Sequence, residues 1–314
     1  MTKRLIASER RNGHLAMLLF SFLVAGSFSL GGVAMKADII SPLAITSVRF
    51  IIATLGVGLL AMATGGISKS AMQAPWRYGI LGALFALYFI MMFTGLETAS
   101  AISISAMFTL TPVLSAGIAY ILLRQITTRR VATALSVGAL GALWVVFEAD
   151  ISALLAFELG RGEMLYFIGI VAHAIYTPLA SRFSRGERAP EFVFFIMIAT
   201  TAIVLAVSIP DIMATDWSAL PMLVWFVILY IALVATTLTG TILIYATMRL
   251  DSAKVMAYTY LTPSWVILWE IALGQGVPPV MIFGGIALTT LALYLLLKHE
   301  EKPAPIAVVQ GAGS

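Results

Sequence analysis

Apolar stretches of about 20 residues recur ten times along this chain, and each is long enough to carry a helix through the hydrocarbon core of a bilayer. They occupy residues 14–34, 42–63, 77–94, 101–123, 131–147, 164–181, 192–209, 222–247, 255–273 and 279–297. The joins between them are short and hold turn formers and charges, as in 36–41, 64–76, 182–191 and 210–221. The longest join, 148–163, is too short for a soluble domain. Only 11% of the residues are charged and 61% are apolar, where a soluble domain carries about a quarter charged. Such a chain cannot clothe itself in polar surface, so lipid is its solvent. The expected fold class is an all-α membrane protein of ten transmembrane helices.

The first stretch follows a basic leader, Lys3, Arg4, Arg10 and Arg11. A signal peptide has a similar opening, but this core lacks a small-residue cleavage site and reads as a retained first span. The tail from Lys298, with Pro303 and Pro305, reads as disordered. Cysteine is absent, which excludes disulfides, thiolate metal sites and cysteine nucleophiles.

Loops on the cytoplasmic side carry the Lys and Arg excess. Counted on alternate sides, sixteen cations fall on the face of the two termini and of loops 2–3, 4–5, 6–7 and 8–9. The opposite face holds only Lys36 and Arg161, and Arg49 lies within a span. Miscounting one span would destroy that asymmetry, so it supports ten spans with both termini cytoplasmic; the expected location is the inner membrane of a bacterium.

The chain also repeats itself. Leu96-Glu-Thr-Ala99 leads to Thr111-Pro112, and Leu250-Asp-Ser-Ala253 leads to Thr262-Pro263. Five spans per half is an odd number, so span 1 enters from one side and span 6 from the other. Two inverted five-helix repeats closing on a midplane site are a recurring transporter architecture. The expected organisation is 1–13 cytoplasmic N-terminus, 14–147 first repeat, 148–163 outer loop, 164–297 second repeat and 298–314 cytoplasmic tail.

With these motifs the sequence resembles the drug/metabolite transporter superfamily, specifically its ten-span EamA-type exporters. Pro42 with Arg49-Phe50 and Ala53 resembles the family's second span. The two Leu-x-x-Ala and Thr-Pro sets resemble spans 4 and 9, and Gly138-Ala-Leu-Gly141 and Gly284-Gly285 resemble the glycines of spans 5 and 10. One departure stands out: the family's usual Gly-Glu at the ends of spans 4 and 9 is Arg124-Gln125 and Gly274-Gln275 here. The resemblance implies secondary transport without ATP, often export of amino acids or related metabolites, as in the YddG-like group of exporters.

Ionisable groups inside a membrane are costly and are functional candidates by default. There are three away from span ends: Arg49, His173 and Glu270. His173, near the middle of span 6, suits proton exchange or a substrate carboxylate; the plainer reading is a neutral histidine bonded to a neighbouring helix. Arg49 and Glu270, both in the outer third, suit a gating or coupling pair across the halves; the plainer reading is snorkelling toward the interface. Pro112 and Pro263 each remove a helix hydrogen bond, and Thr109, Thr111, Tyr260 and Thr262 stand beside them as cavity-lining candidates, against the plainer reading of a static kink. Tyr88, Tyr176, Tyr258 and Trp265 complete the candidate cavity, because a buried Tyr or Trp needs a partner for its polar tip. Trp76, Tyr78, Trp217 and Trp225 fit an interfacial belt. Ala134-x-x-x-Gly138-x-x-x-Ala142 reads as a close-packing face.

Phosphate-binding loops and zinc-protease or nucleophile-elbow motifs are missing, so an enzyme is not expected, and neither is a cofactor. The expected partners are a small-molecule substrate, membrane lipid and, as coupling ion, the proton; nucleic acid is not among them, and the chain acts as monomer or homodimer. The leading reading is a secondary transporter moving small organic solutes by alternating access. The alternatives are a channel-like facilitator or, more remotely, a membrane-embedded enzyme or receptor.

Overall fold

The computed structural model describes residues 2–298, apart from 70, 149, 157–158, 248–249 and 251. Most of the tail and Arg249 therefore lie outside the described residues. Among the described residues, eight helices are long and apolar enough to cross a membrane. They are span 1 (Glu9–Lys36), span 2 (Pro42–Ala63), span 3 (Trp76–Leu96), span 4 (Ala101–Leu123), span 5 (Arg129–Val146), span 6 (Arg161–Phe183), span 7 (Ala189–Ala214) and span 8 (Met222–Leu243). Span 9 is assembled from Ser252–Ala257, a tight 3₁₀ turn at Tyr258–Leu261 and Thr262–Ala272. Span 10 is the shorter apolar helix Ile282–Leu297. Span 7 runs on through Pro210 to Ala214, further than the sequence suggested, and the join after span 5 carries a short helix, Ile151–Ala156.

Local chemistry sets the starts. Ser41 accepts a bond from the Ala44 amide and Ser100 one from the Ser103 amide, each satisfying an orphan donor of a first turn. Pro42 sits in that first turn, where its missing N–H costs nothing. Pro112 and Pro263 act the same way inside the membrane. Span 4 breaks between Ala101–Phe108 and Thr111–Leu123, with Pro112 opening the second piece, and Pro263 opens the piece that follows the 3₁₀ turn of span 9.

Much of the packing follows one exchange rule, in which a span is replaced by the span five further on. Span 2 packs on span 7 and span 5 on span 10, each pair mapping onto itself. Contacts of span 1 with spans 8 and 9 have their mates in span 6 with spans 3 and 4, and span 3 on span 7 matches span 8 on span 2. An inverted repeat requires this pattern. Gly141 and Gly285 bring spans 5 and 10 to backbone contact: a Cβ on either would lie 2.8 or 2.6 Å from the other's carbonyl oxygen. Gly95 and Gly162 do the same for spans 3 and 6. Large apolar side chains such as Leu55, Leu59, Leu140 and Phe226 project outward. In water they would be an aggregation surface; lipid solvates them. The chain is a multi-pass membrane protein.

Candidate functional site

Spans 1–3, 6, 7 and 8, with Phe108 of span 4, enclose a central cavity of about 260 Å³. Its wall is apolar and aromatic, from Phe20, Phe28, Phe85, Phe89 and Met92 among others. Four of the residues singled out by sequence line it: Arg49, Tyr88, His173 and Tyr176.

Arg49 is 1% exposed. Its Nε and Nη2 donate to Thr236 Oγ1 at 3.1 and 2.9 Å, and its guanidinium carbon lies 3.9 Å from the centre of the Phe89 ring. A weakly hydrated planar cation suits that stacked, half-bonded position better than an ammonium would. Nη1 is buried without a hydrogen-bond partner.

Beyond Phe89, whose ring is 4.7 Å from that of Tyr88, lies an aromatic cluster. The His173 ring is 4.6 Å from that of Tyr88 and stacked on Tyr176 at 5.8 Å, with Phe108 at 6.0 Å. Tyr88 shares a hydroxyl–hydroxyl bond of 3.2 Å with Tyr166, while His173 Nδ1 is buried and unpartnered. Gly169 lets span 6 come this close, because a Cβ there would lie 3.0 Å from the Tyr88 carbonyl oxygen.

Span 8 supplies what the sequence reading missed. Tyr230–Leu238 winds as a π-helix, and the Thr236 and Thr237 hydroxyls donate to the Ile231 and Ala232 carbonyls, five residues back. Wide turns of this kind collect at functional sites. Thr236, Thr237, Thr239 and Thr241 all line the cavity. Four threonines within six residues of an otherwise apolar span were the available signal.

The remaining candidates lie elsewhere. Thr109, Thr111, Pro112, Tyr258, Tyr260, Thr262, Pro263 and Trp265 are not among the residues lining the central cavity. Span 1 stands between span 9 and that cavity: Trp265 Nε1 donates to Ser21 Oγ at 3.0 Å, and Tyr258 OH bonds His14 Nδ1 at 2.9 Å. Tyr260 is fully buried in the span 5–9–10 interface, its ring filling the notch that Gly138 leaves. Thr109 donates to the Ala106 carbonyl of its own helix, and Thr111, Pro112, Thr262 and Pro263 are packed at the helix breaks.

Arg49 and Glu270 do not meet. Arg49 turns to Thr236 and Phe89, whereas Glu270 faces a separate recess of about 180 Å³ shared with Ser29, Lys36 and Gln275. Span 1 separates the two, so the expected cross-half pair is not formed.

At the other end of the bundle, Arg77, at the start of span 3, is buried, 1% exposed. Its Nη2 bonds Glu187 Oε1 at 2.7 Å and its Nη1 donates to the Phe183 carbonyl. Arg188 donates to the carbonyls of Thr64, Gly65 and Gly66. These contacts tie the 2–3 join to the 6–7 join, so both lie on one face; Arg182 bonding the Leu122 carbonyl puts the end of span 4 there too.

An inverted ten-span bundle with a cavity between its halves is a recurring architecture of transport proteins. The chain belongs to the EamA-like transporter family, whose model matches residues 11–147 and 160–298. It is similar to an uncharacterized transporter, YyaM, of Bacillus subtilis (strain 168), 22% identical over 298 residues, covering 93% of this chain and 97% of that one. A crystal structure 18% identical shares the fold, with a TM-score of 0.64 over 92% of this chain and 96% of the other.

Proposed function

We propose that the protein exports small organic solutes of amino-acid size, amino acids or related metabolites, by alternating access of its two halves around the central cavity. The observation that carries this reading is that spans of both repeats wall a single cavity holding a buried, incompletely bonded cation. Arg49 binds the solute and the Tyr88–His173–Tyr176 cluster packs its body. Broken spans 4 and 9 are the hinges, and Glu270 with Lys36 and Gln275 lines the mouth on the far face. The excess of Lys and Arg on one face supports cytoplasmic termini and a bacterial inner membrane.

Transport in proteoliposomes tests this, using a screen of amino acids and common metabolites with and without a pH gradient. A carrier gives saturable counterflow; a leak indifferent to trans substrate refutes alternating access. His173 is the proton-coupling group in this reading. His173→Ala is expected to flatten the pH profile of uptake, and an unchanged rate and profile would remove it from the mechanism.

A further inference from the structure

Building on that transport reading, we propose that the solute is a monocarboxylate, an organic anion with an apolar body and no ammonium group, held by its carboxylate on Nη1 of Arg49.

The donors and acceptors of the cavity decide the class. Arg49 is the one Lys or Arg among its lining residues, and no Asp or Glu accompanies it. The ion pairs Arg77 with Glu187 and Arg188 with Glu191 lie about the 2–3 and 6–7 joins, and none of the four lines the cavity. A buried guanidinium without a counterion needs one. Thr236 takes Nε and Nη2 but brings no charge, and Phe89 covers the face of the group. Nη1 remains open. A carboxylate there neutralises the site and makes a charge-assisted hydrogen bond.

A substrate ammonium would fare badly in the same space. It would lose water beside a fixed cation, and the wall offers it aromatic rings and hydroxyls but no carboxylate. The hydroxyls of Ser27, Thr237 and Thr241 give their protons to the Val24, Ala232 and Thr237 carbonyls, so each offers an ammonium a neutral oxygen and none offers the counter-charge that the loss of its water would require. The second unpartnered polar atom among the lining residues, His173 Nδ1, would bond a carbonyl or hydroxyl on the solute body. One cation also sets the charge. A phosphate ester, with about two negative charges at neutral pH, would leave one of them buried and unpaired.

The test is a head-group series on a constant body, applied to the full-length protein: 4-methylpentanoate, leucine and isoamylamine, then 3-phenylpropionate, phenylalanine and phenethylamine. Thermal stabilisation in detergent reads binding, and counterflow above that of protein-free liposomes reads transport. Carboxylates are expected to stabilise and exchange most, zwitterions less, and amines not at all. Arg49→Met, retaining the melting midpoint of the unliganded protein, should abolish carboxylate stabilisation, and Arg49→Lys should weaken it about tenfold or more while keeping the head-group order. Stabilisation by the amines equal to that by the carboxylates overturns the proposal and leaves the transport reading intact. So does counterflow confined to cationic or neutral solutes in the wider screen. Failure of every solute to move would bring down both. Because the series runs on the unmutated protein, it decides even if the Arg49 variants do not fold.

Discussion

Arg124 ends span 4 in the left-handed conformation, φ 55° and ψ 27°, and the Gln125 amide reaches back to the Ala119 carbonyl. Gly274 holds the corresponding place after span 9 at φ 75°. This gives the departure from the family's Gly-Glu ending a physical meaning: a residue with a Cβ occupies a cap that glycine fills without strain. Arg124→Gly is therefore expected to stabilise the protein by about 1 kcal/mol, seen as a higher melting midpoint in detergent. A fall in the midpoint would mean that the arginine side chain contributes more than its backbone costs.

At the scale of elements, the glycines of span 5 determine how closely spans 9 and 10 approach. A Cβ on Gly138 would overlap the Tyr260 ring, and one on Gly141 would press on the backbone of span 10. Gly138→Ala should cost about 1–3 kcal/mol through overpacking, and Gly138→Leu should prevent a native melting transition. Tyr260→Ala would open the space and restore part of the loss in the Gly138→Ala background; simple additivity of the two changes would argue against the contact. The same interface explains why Tyr260, beside a membrane proline, is not a cavity residue. Its neighbours are the small residues of span 5 and the apolar face of span 10.

For the whole molecule, the contacts that matter most are those joining the halves at one face. Arg77–Glu187 and the grip of Arg188 on the 64–66 carbonyls must loosen for the cavity to open between the 2–3 and 6–7 joins. Because the chain has no cysteine, a single Thr237→Cys reports access to the cavity from that face. Adding Glu187→Ala is expected to remove about 1–2 kcal/mol from the closed form and so raise the labelling rate five- to thirtyfold. Acid should act in the same direction. Burial pushes the Glu187 carboxyl up, but the Arg185 amide and Arg77 outweigh it and hold the group below the ordinary carboxylate range. With the folded value depressed, its contribution is complete above the ordinary value of about 4.3 and is lost as pH falls through the lower, folded one. Labelling that is flat through that window would exclude Glu187 as the closing contact.

Hydropathy and repetition determined the architecture before any coordinate was known. Lipid as solvent demands helices with internally satisfied backbones, and ten apolar stretches with twin Thr-Pro breaks leave an inverted pair of five-span halves. They also marked Arg49 and His173, because charge in hydrocarbon is rarely accidental. What they could not contain was the azimuth of each span, which follows from packing against neighbours hundreds of residues away. That rotation turned Tyr260 and Trp265 into interfaces, separated Glu270 from Arg49, buried Arg77 against Glu187, and wound span 8 so that Thr236 meets the guanidinium.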